Sequence, residues 1–317
     1  MELYIEKGFV ENFQIEFYPE KATEIQNIIF SIFSEYHNLN WYLNTSENYI
    51  AENELLFKLS DINLNFKLDV DFNKLFVPEF TPKAQTIVFA EKTREWFPLL
   101  LEKGVLCFSY DNYQKELKEF ISKTRFKVDL SDEENIPIDW KCFNYLKSNT
   151  SFVILSDPYI LKDDEKIKKN LIPLFKENLH KSKKYEIFII TNIEKKDEAG
   201  INQKLKYINS QLASFEIKLF VFNIIKSIEN IVFHDRLLYS NFAITESGKG
   251  FNLFSHKPEN SQIISNSIFE KYTFKRFNNH LIELKKYVEK LKSLEHYNNP
   301  YKTNSVKAYK AFEGIVM

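Results

Sequence analysis

The stretch SFVILSDPY, residues 151–159, indicates how the second half of the chain folds. It opens with a short apolar run, which is typical of a strand buried on both faces, and the run stops at Asp157 and Pro158. Two similar runs follow, YEIFIIT at 185–191 and FEIKLFVF at 215–222, with helical patterns between them. Strands that alternate with helices of this length predict βαβ units, with parallel pairing and a sheet covered on both faces.

Other elements of the second half follow from helix caps and shorter apolar runs. Asp163 is predicted to cap the helix after the first strand. The remaining predicted elements are a helix over 202–213, strands at 231–233, 237–239 and 242–244, and a helix over 279–294. This last helix carries apolar residues at near-heptad spacing, namely Leu281, Leu284, Val288 and Leu291. The spacing favours core packing, with a subunit interface as the alternative.

The first half of the chain predicts a mixed α/β domain. Thr23 opens a helix with an apolar stripe that reaches Tyr36. Further predicted elements are strands at 85–90 and 105–108 and a helix over 112–123. An acidic segment over 129–137 is typical of a linker. We therefore predict a mixed α/β domain over 1–140 and a second α/β domain over 141–317.

Composition excludes several classes of protein. Hydrophobic residues make up 44% of the 317, which excludes wholesale disorder. The 43 Lys and Arg against 44 Asp and Glu exclude a globally basic surface, although a local basic cleft stays open. The six glycines do not form the clusters that nucleotide-binding loops need, but two of them, Gly248 and Gly250, lie close together.

Cysteine use and hydropathy indicate the compartment. Cys107 and Cys142 have neither CxxC spacing nor a nearby histidine pair, so we expect no structural zinc and no disulfide scaffold. No apolar run reaches the length of a signal peptide or a membrane span. The expectation is a soluble, cytoplasmic protein with no transmembrane segment.

The segment FHDRLLYSNFAITESGKGFNLF, residues 233–254, carries the chemistry. Its potential phosphate-binding and catalytic residues are His234, Arg236, Asn241, Gly248, Lys249, Gly250 and Asn252. Their spacing resembles the phospholipase D superfamily signature, His-x-Lys-x4-Asp-x6-Gly-Ser-x2-Asn. Arg236 replaces the lysine, Asn241 the aspartate and Lys249 the serine. The His-Asp-Arg form is also similar to the phospholipase D-like domain at the C-terminus of some MIT-domain proteins. The resemblance implies a phospholipase D-like α/β/α sandwich in the second half.

The residue types suit cleavage of a phosphodiester without a metal or any other cofactor. Such cleavage needs a nucleophile, positive charge on the phosphoryl oxygens and a proton donor for the leaving oxygen. His234 can supply the nucleophilic nitrogen near neutral pH. On a strand, Arg236 would share its face and could hold two phosphate oxygens. The resemblance implies that Asn241 stands in for a histidine-orienting aspartate.

Three further residues would complete the phosphate site. Gly248 and Gly250 permit close approach of the backbone to anionic oxygens, and Lys249 adds positive charge. Asn252 can donate an amide hydrogen bond to the same phosphate.

The segment occurs once, and this predicts a homodimer. In the resembled family two motifs form one site, in which one histidine attacks and the other protonates the leaving group. No second copy exists here, so a catalytic site would lie at a two-fold axis.

The favoured hypothesis is a metal-independent phosphodiesterase, most simply a nuclease that forms a phosphohistidine. Nucleic acid is favoured over lipid because no membrane-binding amphipathic patch is visible. A first domain that recognises a partner protein would make the chain similar to bacterial antiviral defence effectors, by analogy alone. The alternatives are a degenerate module that binds a phosphate-bearing ligand without cleaving it, and a coincidental spacing.

Two other features of the sequence give weaker indications of a site. Asp69 and Asp71 would share a strand face and could hold a metal, although a solvated strand face is the simpler interpretation. A group of lysines on the helix after Asp163, namely Lys162, Lys166, Lys168 and Lys169, is typical of a solvated helix side.

Overall fold

The computed structural model describes residues 1–36, 39–61, 65–129, 140–193, 198–224, 236–251, 262–293 and 305–316. The chain divides into two compact units. The first comprises Met1–Ser122 with Ile268–Phe274, and the second comprises Lys123–Ser267 with Lys275–Met317. A domain boundary near residue 140 stays a prediction.

The first unit is built on a five-stranded parallel sheet. Its strands are β1 (Glu2–Ile5), β2 (Asn40–Leu43), β3 (Phe66–Lys67), β4 (Thr86–Ala90) and β5 (Leu106–Ser109). They are ordered β3-β2-β1-β4-β5, and all neighbouring strands are parallel. Every residue of β1, β4 and β5 is buried, as expected for parallel strands with both faces covered.

Helices connect these strands. They are α1 (Lys7–Glu16), α2 (Glu24–Glu35), α3 (Glu47–Glu52), α4 (Glu54–Ser60), α5 (Phe72–Leu75), α6 (Phe97–Glu102) and α7 (Tyr113–Thr124). The predicted start of α2 is confirmed, because Thr23 Oγ1 accepts a hydrogen bond from Gln26 N at 3.2 Å and Thr23 N donates to Gln26 Oε1 at 2.9 Å. This reciprocal pair is a capping box.

Phenylalanine fills much of this unit's core. The Phe89 ring on β4 packs against Phe9 of α1 and Phe33 of α2, with ring centroids 4.9 and 5.7 Å apart. All three side chains are fully buried. The aromatic-rich composition thus stabilises the packing of helices on the sheet, since each large ring buries a wide apolar area.

The second unit is built on a seven-stranded mixed sheet. Its strands are β6 (Phe126–Asp129), β7 (Phe152–Ser156), β8 (Lys184–Thr191), β9 (Glu216–Asn223), β10 (Arg236–Ser240), β11 (Ala243–Ser247) and β12 (Gln262–Ser267). Their order is β6-β12-β11-β10-β7-β8-β9. β7, β8 and β9 are parallel, as the βαβ pattern predicted, and the other pairs are antiparallel.

The helical segments of the second unit are a 3₁₀-helix (Trp140–Lys147), α8 (Asp164–Lys166), a π-helical turn (Ile167–Leu171), α9 (Ile172–Asn178), α10 (Glu198–Gln211), α11 (Lys271–Ser293), whose residues 271–274 belong to the first unit, and α12 (Ser305–Val316). As predicted, Asp163 caps α8, because its Oδ1 accepts a hydrogen bond from Lys166 N at 2.8 Å. The π-helical turn directly precedes Pro173, whose missing N–H disturbs the α-helical hydrogen-bond ladder.

Helices cover both faces of the second sheet. One face packs against the 3₁₀-helix and the helices after β7 and β8, in a core that includes Phe143, Leu155 and Leu171. On the other face, Phe312 of α12 lies 5.4 Å from Phe188 of β8 between ring centroids. The predicted fold class is confirmed, with an α/β/α sandwich in the second half.

The near-heptad stripe of α11 belongs to the core of the chain. Leu281, Leu284, Val288 and Leu291 are all buried without a second subunit. Core packing therefore accounts for the stripe, and a subunit interface is not needed to explain it. The helix also begins at Lys271, ahead of the predicted start near Asn279, because Phe274 and Phe277 continue the buried stripe among polar neighbours.

The predicted strand at Asp69 and Asp71 is wrong, and two further predicted segments lie outside the described residues. Asp69 and Asp71 do not share a strand face, because the strand there spans only Phe66–Lys67. Instead Asp69 has a positive φ of 54°, and Asp71 caps α5 by accepting hydrogen bonds from the backbone of Asn73 and Lys74. The predicted strand at 231–233 and most of the predicted linker, residues 130–137, lie outside the described residues.

Candidate phosphate site

Strand register brings together two residues that are far apart in the sequence. β10 pairs with β7 in antiparallel register, with Leu237 opposite Ser156. The next residues along that register are Arg236 and Asp157, so both lie at the same edge of the sheet. On its other side, Arg236 is opposite Ser247 of β11. The turn that follows β11 therefore begins beside Arg236.

The Arg236 guanidinium lies between this turn and the end of β7. Its Nη1 donates a hydrogen bond to Gly248 O at 2.7 Å. Its Cζ lies 5.5 Å from the centroid of the Tyr159 ring, which is within the range of a cation–π contact. Its Nε is buried and has no hydrogen-bond partner among the described residues. A buried donor without a partner favours an acceptor from a ligand or water.

Asp157 is a completely buried carboxyl group at this edge. Its Oδ1 accepts a hydrogen bond from Tyr159 N at 2.9 Å, and its Oδ2 accepts one from Phe251 N at 3.0 Å. Burial raises the pKa of Asp157 above its ordinary value, whereas the two backbone donors and the charges of Arg236 and Lys166 act to lower it. The carboxyl group thus ties the turn after β11 to the end of β7.

Gly250 lies where only a glycine fits. Its φ is +91°, a conformation that disfavours residues with a Cβ. A Cβ at this position would lie 2.7 Å from Asp157 Oδ2 and 2.8 Å from Arg236 Cδ. Ser247 Oγ also donates a hydrogen bond to Gly250 O. The backbone of the turn therefore approaches both charged side chains closely.

The other two residues of the turn are exposed. Gly248 N donates to Gln262 O at 3.2 Å, and Gly248 O accepts from Arg236, so both backbone groups of Gly248 are engaged. Lys249 is exposed at the tip of the turn. Of the predicted site residues, the structure thus brings together Arg236, Gly248 and Gly250, with Lys249 between the two glycines.

Asn241 lies at the opposite end of β10. It follows Ser240, the last residue of the strand, which lies about 13 Å from Arg236 at about 3.3 Å per residue. Its side chain is buried, and its Oδ1 accepts hydrogen bonds from Ser151 N at 2.9 Å and Phe152 N at 3.3 Å. Its Nδ2 donates to Ser151 Oγ at 3.0 Å. These contacts anchor the start of β7, and a role in orienting His234 stays a prediction.

His234 and Asn252 lie outside the described residues. Their predicted roles as nucleophile and phosphate ligand therefore remain predictions.

Asp157 is the residue of this site that sequence reasoning left out. Its signal was present, since an acidic residue directly follows an apolar run that predicts a fully buried strand. Burial of an acidic residue is uncommon unless hydrogen bonds or charges compensate.

The described residues contain neither a candidate metal-binding cluster nor a membrane-spanning helix. No group of three or more His, Cys, Asp or Glu side chains there could hold a metal ion. No helix in that part of the chain is both long and apolar enough to cross a membrane.

Comparison with known proteins identifies the second half. Residues 142–283 match the family model described as the phospholipase D-like domain at the C-terminus of MIT. The match covers β7 to β12, the Arg236 site and the first part of α11. No curated protein matches the chain. Residues 142–283, in the C-terminal half of the chain, therefore form a phospholipase D-like domain, as the spacing of the segment 233–254 predicted.

Proposed function

We propose that the protein is a metal-independent phosphodiesterase that cleaves nucleic acid through a phosphohistidine. The observation that carries the proposal is the packing of the turn after β11 against Arg236. It places at one edge of a phospholipase D-like sheet a guanidinium, whose buried Nε has no partner among the described residues, and a closely approaching backbone. In the sequence, His234 precedes this arginine by two residues.

The reaction proceeds in two displacements. An imidazole nitrogen of His234 attacks phosphorus, so that an N–P bond forms while the P–O bond to the leaving group breaks. The leaving oxygen takes a proton from a second histidine, which is His234 of the partner subunit. Water then attacks phosphorus while it gives a proton to that second histidine. A new P–O bond forms, the N–P bond to His234 breaks, and both side chains are restored. Arg236 holds the phosphoryl oxygens as negative charge develops on them.

Binding without cleavage is the second candidate function. It is favoured by Asn241, whose described hydrogen bonds are to the start of β7 and whose amide carries no charge to support an imidazolium. In this case Arg236 would hold the phosphate of a ligand that is released unchanged. Cleavage separates the two functions, because only the enzyme turns a substrate over.

The test is cleavage of labelled single-stranded and duplex oligonucleotides in excess EDTA by wild type and His234→Ala. We expect cleavage by wild type and a loss of about 10³-fold or more in the variant, since its nucleophile is removed. His180→Ala is the matched control, because His180 is an exposed histidine on the same unit. Cleavage that survives His234→Ala, or that stops in EDTA, would overturn the mechanism.

The two-histidine scheme also requires a dimer. Sedimentation equilibrium is expected to give twice the 37.8 kDa chain mass at the protein concentrations that support cleavage. An active monomer would contradict the scheme.

A further inference from the structure

Tyr159 is an exposed aromatic residue beside the Arg236 site. Its side chain is 42% exposed, whereas the apolar run before it is fully buried. Three cations surround the ring: Arg236 Cζ lies 5.5 Å from its centroid, Lys162 Nζ 5.8 Å and Lys166 Nζ 5.9 Å. A large exposed ring in such a setting is a candidate contact for a ligand that carries both a flat apolar part and negative charge.

The backbone around Tyr159 is fixed. Tyr159 N donates to the buried Asp157 carboxyl, and Tyr159 O accepts from Lys162 N at 3.0 Å. Lys204 Nζ donates to the carbonyl oxygens of Leu161 and Lys162 at 3.0 and 3.1 Å. The ring is therefore presented on an ordered turn, so that binding would not have to order this backbone first.

Lys166 departs from the predicted solvated helix side. Its side chain is only 14% exposed, and its nearest acidic partner, Asp163 Oδ2, lies 3.8 Å from its Nζ. Lys162 is exposed, and so is Lys249 at the tip of the turn. Asp157 is buried and bonded to the backbone, whereas Asp163, beside Lys166, has a side chain that is 48% exposed. The ring therefore has three neighbouring cations, one of which, Lys166, faces a partly exposed carboxylate.

We propose that Tyr159, Arg236, Lys162 and Lys166 form a binding surface for single-stranded nucleic acid. A base would stack on the Tyr159 ring, and the flanking phosphates would pair with the arginine and the lysines. The proposal rests on the proposed function only in that Arg236 would bind a phosphate in both: the reacting phosphate in the reaction, and a flanking phosphate of the bound strand.

A single strand matches these features better than other phosphate-bearing ligands. Bases of a duplex are already stacked on one another, so their faces cannot reach a side chain without unstacking. A lipid headgroup supplies a phosphate but no flat ring for Tyr159. The combination of an exposed ring with neighbouring cations is the arrangement by which proteins bind single strands without reading their sequence.

The test is fluorescence anisotropy with a labelled oligothymidylate of about 12 nucleotides, in EDTA and in the His234→Ala background. We expect Tyr159→Ala to weaken binding about tenfold or more, because loss of one stacked base costs that much. Tyr159→Phe should bind within about twofold of its parent, since stacking does not use the hydroxyl. Tyr272→Ala is the matched control, because Tyr272 is 78% exposed and belongs to the first unit.

Salt dependence tests the lysines separately. Between about 50 and about 200 mM salt, the slope of log Kd against log salt should fall by about 0.7 for each of Lys162→Ala and Lys166→Ala. Unchanged slopes in both variants would overturn their assignment as phosphate contacts.

Two results would overturn the proposal as a whole. One is an affinity of Tyr159→Ala for the oligonucleotide that equals the affinity of its parent. The other is binding to phosphatidylserine vesicles that depends on Tyr159 when oligonucleotide binding does not. If wild type binds the oligonucleotide but does not cleave it, the proposed enzyme is overturned and the binding surface is not. If Tyr159→Ala leaves cleavage unaffected, the binding surface is overturned and the proposed enzyme is not.

Discussion

The two ends of β10 carry residues of the same sequence motif but differ in what they contact. At one end, Asn241 is buried and bonded to the backbone of Ser151 and Phe152. At the other end, Arg236 has a buried Nε without a partner among the described residues, beside a glycine of positive φ and a buried carboxyl group. One end is satisfied by the fold itself, and the other leaves capacity for a ligand.

The difference separates residues that build the domain from residues that can do chemistry. A motif is a spacing in sequence, and a strand of five residues carries its two ends to opposite edges of the sheet. Hydrogen-bond capacity that the fold leaves unused is the better guide to a site, because buried polar groups are otherwise paired. Substitutions made at one end of β10 at a time can therefore separate the two roles.

The largest effect is expected for Gly250→Ala. The new Cβ would meet Asp157 Oδ2 at 2.7 Å, and the carboxyl group cannot move away without losing its bond to Phe251 N. With the positive φ, destabilisation by about 3 kcal/mol is expected, along with loss of oligonucleotide binding. The measurements are urea unfolding of the full chain and fluorescence anisotropy.

Gly200→Ala is the matched control for that substitution. A Cβ there meets no atom within 4 Å, and the residue lies in α10. It should leave stability unchanged or raise it by up to about 1 kcal/mol, as alanine favours helix. Equal effects of the two substitutions would show that Gly250 has no special place in the site.

Asn241→Ala tests the satisfied end of β10. It leaves the N–H groups of Ser151 and Phe152 without their side-chain acceptor, and destabilisation by about 2 kcal/mol is expected. Asn241→Asp keeps an acceptor oxygen and should unfold closer to wild type. Both variants, where folded, should bind oligonucleotide as wild type does. A large loss of binding in folded Asn241→Ala would move Asn241 into the site.

More of the fold than of the candidate site could be predicted from the sequence. The buried strands β7, β8 and β9 were predictable because a parallel strand with both faces covered reads as an uninterrupted apolar run. The start of α11 was missed because Phe274 and Phe277 are separated by charged and polar residues. Strand β6 was missed because it is short and only partly buried, at the edge of the sheet.

The candidate site depended on pairing that no local pattern contains. Asp157 and Arg236 meet only through the register of β7 with β10, and the intervening chain gives no sign of that register. Gly250 was identified as a place of close backbone approach, but the side chains that it approaches become visible only in three dimensions. Asn241 followed the motif in sequence and lies at the far end of the strand.

The smallest effect is expected in the pH dependence of Asp157→Asn. Because burial raises the pKa of Asp157 in the folded chain above the ordinary value of 3.8, the folded chain holds this proton more tightly than the unfolded chain. The contribution of Asp157 to the free energy of unfolding is therefore fully present below the ordinary pKa of 3.8, and it is lost as the pH rises through the raised pKa of the folded chain. The asparagine does not titrate, but its amide N–H groups cannot accept the hydrogen bond from Phe251 N.

We therefore expect Asp157→Asn to be less stable than wild type at about pH 4.5, with a gap that narrows towards about pH 8. Urea midpoints across this range give the measurement. Glu165→Gln is the control of opposite sign, because a hydrogen bond from Lys169 lowers the pKa of Glu165 and the wild type gains stability from it as pH rises. A gap for Asp157→Asn that widens with pH would mean that Arg236 and the backbone donors outweigh burial. The carboxylate would then be a paired charge like those on the surface, and the contrast between the two ends of β10 would rest on Arg236 alone.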